Sequence, residues 1–136
     1  MTKVLLVVAA ALINRDGKIL LARRPEGKAM AGLWEFPGGK IEPGETPEHA
    51  LQRELQEELQ IMVTKSDMKP ITFASHAYEK FHLFMPLFGI ETWNGTPKPA
   101  ENQMLEWVAP QNLHRYPAPE ADIPLFAFLR QYLEDK

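Results

Sequence analysis

Residues 39–61 read GKIEPGETPEHALQRELQEELQI, and both the fold and the chemistry of the chain turn on this stretch. Thr46 offers a hydroxyl for a helix N-cap, Pro47 presets φ at the first helical position, and Glu48 puts an acid near the positive dipole end. A helix is therefore expected to start at Thr46. Beyond it, Ala50, Leu51, Leu55 and Leu59 recur at helical spacing as an apolar stripe, while Glu54, Glu57 and Glu58 stand at i, i+3 and i+4 on a neighbouring face. Like charges at that spacing repel by roughly 0.2–0.5 kcal/mol per pair, and by more when partly buried, so a cation is expected among them. Arg53 is one candidate, reaching forward to Glu57 or back to Glu45, but a single guanidinium does not neutralise the whole cluster. Mg²⁺ does, as a hard cation that takes carboxylate oxygens and completes its octahedron with water and substrate phosphates. A plain solvated acidic face is the alternative reading of the same glutamates.

The segment upstream favours the metal. Phe36, Pro37, Gly38 and Gly39, then Glu42, Pro43, Gly44 and Glu45, form a turn-rich loop whose glycines let backbone approach a ligand closely, and it runs straight into the acidic helix. Together they resemble the signature of the Nudix hydrolases, G-x5-E-x7-R-E-U-x-E-E-x-G-U with U a bulky aliphatic residue. Gly39, Glu45, Arg53, Glu54, Leu55, Glu57, Glu58 and Ile61 fall in register. Gln60 departs, standing where the family has glycine near the helix C-terminus; it is expected to cost about 1 kcal/mol or to move the cap by a residue. The runs LLARRP, LWEFPGGKIE, ENQMLEW and PEADIPLF also resemble the MutT-type branch, which removes oxidised nucleoside triphosphates, while residues 63–95 match loosely.

The resemblance implies an α/β fold, the α/β/α sandwich with a mixed sheet, and a Mg²⁺-dependent diphosphatase, with Mn²⁺ suited to the same oxygens. It makes Glu54, Glu57, Glu58 and the Gly39 carbonyl the metal ligands, Glu54 the first choice of general base, and Arg53 with Glu45 the pair that aims the cluster. Glu101 resembles an acidic loop residue that approaches the metal in MutT-type enzymes, as a further ligand or proton acceptor; an exposed loop acid is the alternative. Arg24, Lys40 and the Gly38 backbone are expected at phosphate or nucleoside, with Arg23 facing the other way along its strand. Asp122 sits near the position of a base-reading asparagine in that branch and would accept the N7–H of an oxidised guanine; capping the last helix is its other reading. Phe36 and Tyr78 either contact the base or belong to the core. The leading expectation is release of monophosphate and pyrophosphate from 8-oxo-dGTP. The alternatives are a pyrimidine triphosphate hydrolase, a noncatalytic nucleotide-binding module and an acidic interaction domain.

Composition narrows the remaining choices. A chain of 136 residues suits one domain, 1–136, that buries about two-thirds of its unfolded surface. A net charge of −3 without a long basic run argues against a stable nucleic-acid complex and for a small triphosphate partner held by metal and a few cations. Without cysteine there is no disulfide or thiolate chemistry, which suits a reducing, cytoplasmic setting; a monomer or small homo-oligomer is expected. Lys3 and residues 4–13 have the look of a short secretory signal, but Asn14-Arg15-Asp16-Gly17 is a turn, so residues 4–13 and 18–23 are expected as a hairpin. The apolar run is too short to span a bilayer. Strands are expected at 71–78, 81–92 and 104–109 after a break at Pro70, with an amphipathic helix from Ala118 and Pro124 in its first turn. His49, His76, His82 and His114 lack metal-ligand spacing, and Ser66 and Ser75 lack a nucleophile's context.

Overall fold

The run KVLLVVAAAL forms strand β1 (Lys3–Leu12), and the burial of its second half, Val8 to Leu12, on both faces organises the elements around it. Val8, Ala10 and Leu12 pack towards one helix, Ala9, Ala11 and Ile13 towards the other, as a near-continuous hydrophobic strand does when covered on both sides. The computed structural model describes residues 3–135; Met1, Thr2 and Lys136, the ends of the expected domain, lie outside the described residues.

Along the chain follow β2 (Ile19–Arg23), β3 (Trp34–Glu35), β4 (Gly38–Lys40), α1 (Pro47–Leu59), β5 (Met68–Ala77), β6 (Phe81–Ile90), β7 (Met104–Val108) and α2 (Ile123–Glu134), with short 3₁₀ turns at Lys65–Asp67 and Pro110–Arg115. A four-stranded mixed sheet runs β4-β1-β6-β5, with β1 parallel to β6 and the other pairs antiparallel; a three-stranded antiparallel sheet runs β3-β2-β7. Helix α1 buries Ala50, Leu51, Leu55 and Leu59 in one core, and α2 buries Leu125, Phe126 and Leu129 in the other. Mixed sheet and flanking helices agree with the expected α/β class.

Three expectations change. The turn at Asn14 to Gly17 forms, with Asn14 Oδ1 accepting the Asp16 and Lys18 N–H groups, yet β1 and β2 make no hairpin. They meet only at the Ile13–Ile19 bridge and part into different sheets, because β1 has both faces buried and takes β6 and β4 as neighbours. Pro70 lies inside β5 rather than ending a segment; β5 is an edge strand, and a register shift between Pro70 and Thr72 accommodates the missing N–H. The turn-rich segment from Phe36 to Glu45 is not all loop: β3 just before it joins one sheet and β4 within it the other, so Phe36-Pro37 crosses between them, tied by Ala10 N–H to the Pro37 carbonyl at 2.9 Å.

Candidate active site

The acidic helix begins as its sequence dictates: Thr46 Oγ1 accepts the His49 N–H at 3.1 Å with Pro47 in the first turn. It ends at Gln60, which takes the left-handed conformation at φ 59° and ψ 38° in the box glycine's place and donates its N–H to the Gln56 carbonyl at 3.1 Å. The cap therefore stays where glycine would put it, at the cost of a side chain in a region glycine favours.

Arg53 answers the acids on one side. Its Nε lies 2.9 Å from Glu45 Oε2 and its Nη2 2.9 Å from Glu45 Oε1, a two-pronged pair, while Nη1 reaches Glu54 Oε1 at 3.0 Å and Nη2 the Lys40 carbonyl at 3.1 Å. These hydrogen bonds and the Glu42 N–H hold the Glu45 carboxyl down at about 2 and raise Arg53 further above its already high value. Of the two directions open to Arg53 in sequence, the backward one is the tighter: Glu57 lies 3.6 Å away and is 53% exposed.

On the other side Glu54 and Glu58, one turn apart, are hydrogen-bonded to each other. Burial first, then the Glu54 charge and its hydrogen bond, then Glu101, push Glu58 up to about 9, against a backbone hydrogen bond from Gly38. The two glycines before the helix leave no spare room: a Cβ on Gly39 would land on the Glu54 carboxylate, and one on Gly38, at φ 152°, on the Val8 carbonyl. The β4 backbone is thus pressed against the carboxyls. Glu101 joins them from the loop before β7, and Glu58 and Glu101 border one groove with Arg23, Arg24, Lys28, Glu35 and Gly38. The guanidinium of Arg23 turns to Met104 Sδ at 3.4 Å and that of Arg24 to Glu35, so the side chains diverge as expected although both residues border the groove. Among the described residues no three acidic or histidine side chains already converge on one point. The donor set nevertheless fits a hard divalent cation, being oxygen throughout, with a Glu58 carboxyl pushed up by burial and by Glu54, a repulsion that such a cation relieves.

Beyond Arg24 a second cavity of about 200 Å³ opens between the sheets, lined by Leu5, Val7, Glu35, Tyr78, Phe81 and Asp122 among others. Asp122 precedes α2 but caps nothing; its Oδ2 accepts the buried Phe36 N–H at 3.4 Å. The capping reading is thereby corrected, since the αR conformation of Asp122 turns its carboxyl away from the helix end and into the cavity. Burial, then the neighbouring Glu35 carboxylate, push Asp122 up to about 7; burial likewise raises Glu35, opposed by Arg24. Arg24 Nε stands 2.8 Å from Glu35 Oε2, out of line for a hydrogen bond, and is buried without an aligned acceptor. The Phe36 ring lies in the core against Phe126 at 5.3 Å, and its N–H reaches Asp122. Tyr78 lines the cavity and accepts the Ala121 N–H at 3.1 Å; Lys40 lines it too.

Sequence reasoning missed Glu35 and Gln103. Glu35 sits within the quoted LWEFPGGKIE run, two residues before a strand crossing that only the pairing of β3 and β4 reveals. Gln103 is a buried polar side chain in a segment that reads as loop.

With this geometry in view, three comparisons bear on the chain. A profile of the NUDIX domain matches residues 8–127. The chain is 46% identical over 120 residues to a CTP pyrophosphohydrolase of Escherichia coli K12 (87% of this chain, 86% of that protein). It is 35% identical over 129 residues to the 8-oxo-dGTP diphosphatase of the same strain (95% and 98%). A solved MutT structure from a study of the Aliivibrio salmonicida and Vibrio cholerae proteins superposes with a TM-score of 0.81 at 33% identity, covering 96% of this chain and 99% of that one. With the NUDIX profile covering most of its length, the chain belongs to the Nudix hydrolases, which act on phosphoric anhydrides. Within them it falls in the MutT-type branch, whose members work with a divalent metal on small nucleotide substrates. No helix among the described residues is long and apolar enough to cross a membrane.

Proposed function

We propose that this chain is a Mg²⁺-dependent nucleoside triphosphate pyrophosphohydrolase, releasing monophosphate and pyrophosphate by attack of water on the β-phosphorus. The observation that carries this reading is the packing of the α1 carboxyls on the β4 backbone, with Glu54 directly against Gly39 and Glu58 beside Glu54. Glu54, Glu57, Glu58 and the Gly39 carbonyl would hold the metal, with Glu101 beside Glu58 in the same groove. When bound it would screen the phosphate charge and lower the cost of generating the nucleophile. Glu54, fixed by Arg53 on one oxygen, accepts the proton of the attacking water with the other. Arg53 keeps that carboxylate aimed through its two-pronged hold on Glu45. Arg24, whose buried Nε lacks an aligned acceptor, and Lys28 meet the phosphates and sugar between the acidic groove and the second cavity.

For the base, the same proposal favours a cytosine triphosphate. Asp122, which is buried, and Glu35, which is partly exposed and ion-paired to Arg24, are carboxyls both shifted upward and both facing a cavity of about 200 Å³. Asp122, pushed up to about 7, donates when protonated and accepts when ionised, and a carboxylate beside it accepts, so the two would match the cytosine N3 and N4 amino group. The 46% identity to a CTP pyrophosphohydrolase supports this choice. Oxidised guanine is the second reading, because its N7–H would give the Asp122 carboxylate a donor that guanine lacks. The test is kcat/KM for CTP, dCTP, 8-oxo-dGTP and dGTP at fixed Mg²⁺, with pyrophosphate and phosphate both followed. Cytosine substrates are expected to lead, with pyrophosphate as product. Preference for 8-oxo-dGTP would move the assignment to the second reading, and phosphate release alone would overturn attack at the β-phosphorus.

A further inference from the structure

Gln103 is buried and polar, 8% exposed, in a loop where such a side chain has no packing reason to be. Its amide is used at both ends. Oε1 accepts the backbone N–H of Glu101 at 2.8 Å, and Nε2 donates to the carbonyl of Glu58 at 3.0 Å. Between Glu101 and Gln103, Asn102 stands in the left-handed region at φ 61°, which folds the loop back so that the Gln103 amide meets the N–H two residues earlier. The same Glu58 carbonyl accepts the Ala100 N–H at 3.1 Å, and the Leu59 carbonyl accepts the Lys98 N–H at 2.9 Å, so the loop is sewn to the last turn of α1. Those carbonyls are among the ones a helix end leaves without partners, so the seam meets a need of the helix while fixing the loop.

We propose that Gln103 is a positioning residue for the acidic site: by bridging the Glu101 N–H to the Glu58 carbonyl it holds the Glu101 carboxylate beside that of Glu58. This rests on the reading above in which Glu101 acts at the metal. Only an amide serves here, because one end must accept and the other must donate. Methionine fills the same space and does neither; alanine leaves a gap.

The experiment compares Gln103→Met, Gln103→Ala, Glu101→Gln and the Gln103→Met/Glu101→Gln double variant in three measurements. These are kcat/KM on CTP with Mg²⁺, Mn²⁺ binding without nucleotide by electron spin resonance, and amide exchange at Glu101 in the metal-free protein, with thermal unfolding checking each fold. Gln103→Met is expected to lower kcat/KM and Mn²⁺ affinity by about 10-fold, the usual scale for a group that orients a ligand, and to speed exchange of the Glu101 N–H. The double variant is expected to be no worse than Glu101→Gln alone, since Gln103 acts through Glu101. Wild-type activity and Mn²⁺ binding in both Gln103 variants, beside an impaired Glu101→Gln, would overturn the positioning role and leave the Glu101 reading standing. Defects that multiply in the double variant would overturn it as well. A Glu101→Gln protein as active as wild type would remove the premise instead.

Discussion

The molecule contains two pairs of crowded carboxyls, and they are crowded for different reasons. Glu54 and Glu58 lie one turn apart on α1 with Arg53 steadying one of them, and Glu58 is pushed up to about 9. Glu35 and Asp122 come from opposite ends of the chain into a cavity with apolar walls, where burial dominates and Asp122 reaches only about 7. On the proposed function the first pair would receive the cation and the second the base. One site would then be organised for charge and the other for hydrogen-bond direction, and each should fail in its own way when altered.

The sharpest break is expected from Glu54→Gln, which removes the proposed proton acceptor and should lower kcat/KM on every triphosphate by about 10²–10⁴-fold. A loss confined to one base would contradict the division of labour. Next comes metal affinity: because Glu58 holds a proton up to about 9 in the metal-free protein, binding must expel it. Apparent Mg²⁺ affinity should therefore rise between pH 6 and pH 8.5, approaching tenfold per unit, with proton release measurable by calorimetry in two buffers of different ionisation enthalpy. A flat affinity would mean that the pair is already ionised.

Asp122→Asn should leave turnover of the best substrate within a few-fold while lowering the preference for cytosine over uracil by about 10-fold or more. It should also stabilise the protein. The folded Asp122 binds its proton up to about 7 against a model value of 3.8, so stability falls as pH rises from about 4 to about 7 and is level above. Asparagine has no such slope, and the gain in Tm over wild type should grow across that window and then stay constant. The smallest effect is expected at the far end of the acidic helix. Gln60→Gly relieves a left-handed side chain and should add roughly 0.5–1 kcal/mol of stability without touching either pair.

The acidic helix was legible because its chemistry is local: N-cap, apolar stripe and glutamate face all lie within 15 residues whose spacing is that of one helix. The second cavity was legible only in part. Asp122 could be singled out by resemblance, but its partner Glu35 is 87 residues away and meets it only once β3 and β4 have joined different sheets. The hairpin reading failed for a related reason. The turn residues at 14–17 correctly predict a reversal, but whether the strands after a reversal pair depends on what else competes for β1, and β6 wins from 70 residues further on. Gln103 shows the same limit, since nothing near it in sequence says that its amide will find the end of α1.

The crossing at Phe36-Pro37 has one more consequence. Glu35 and Gly39 both line the second cavity, Gly39 also lies against the Glu54 carboxylate, and the chain between them is pinned to one sheet at β3 and to the other at β4. Four residues of extended chain reach at most about 14 Å, so on the proposed function this segment would act as a ruler laid along the substrate, from base to phosphates. A base that seats badly would move the whole molecule along that ruler, and the β-phosphorus would slide off the mark. Discrimination should therefore be felt in the rate of the bound substrate as much as in the tightness of its binding.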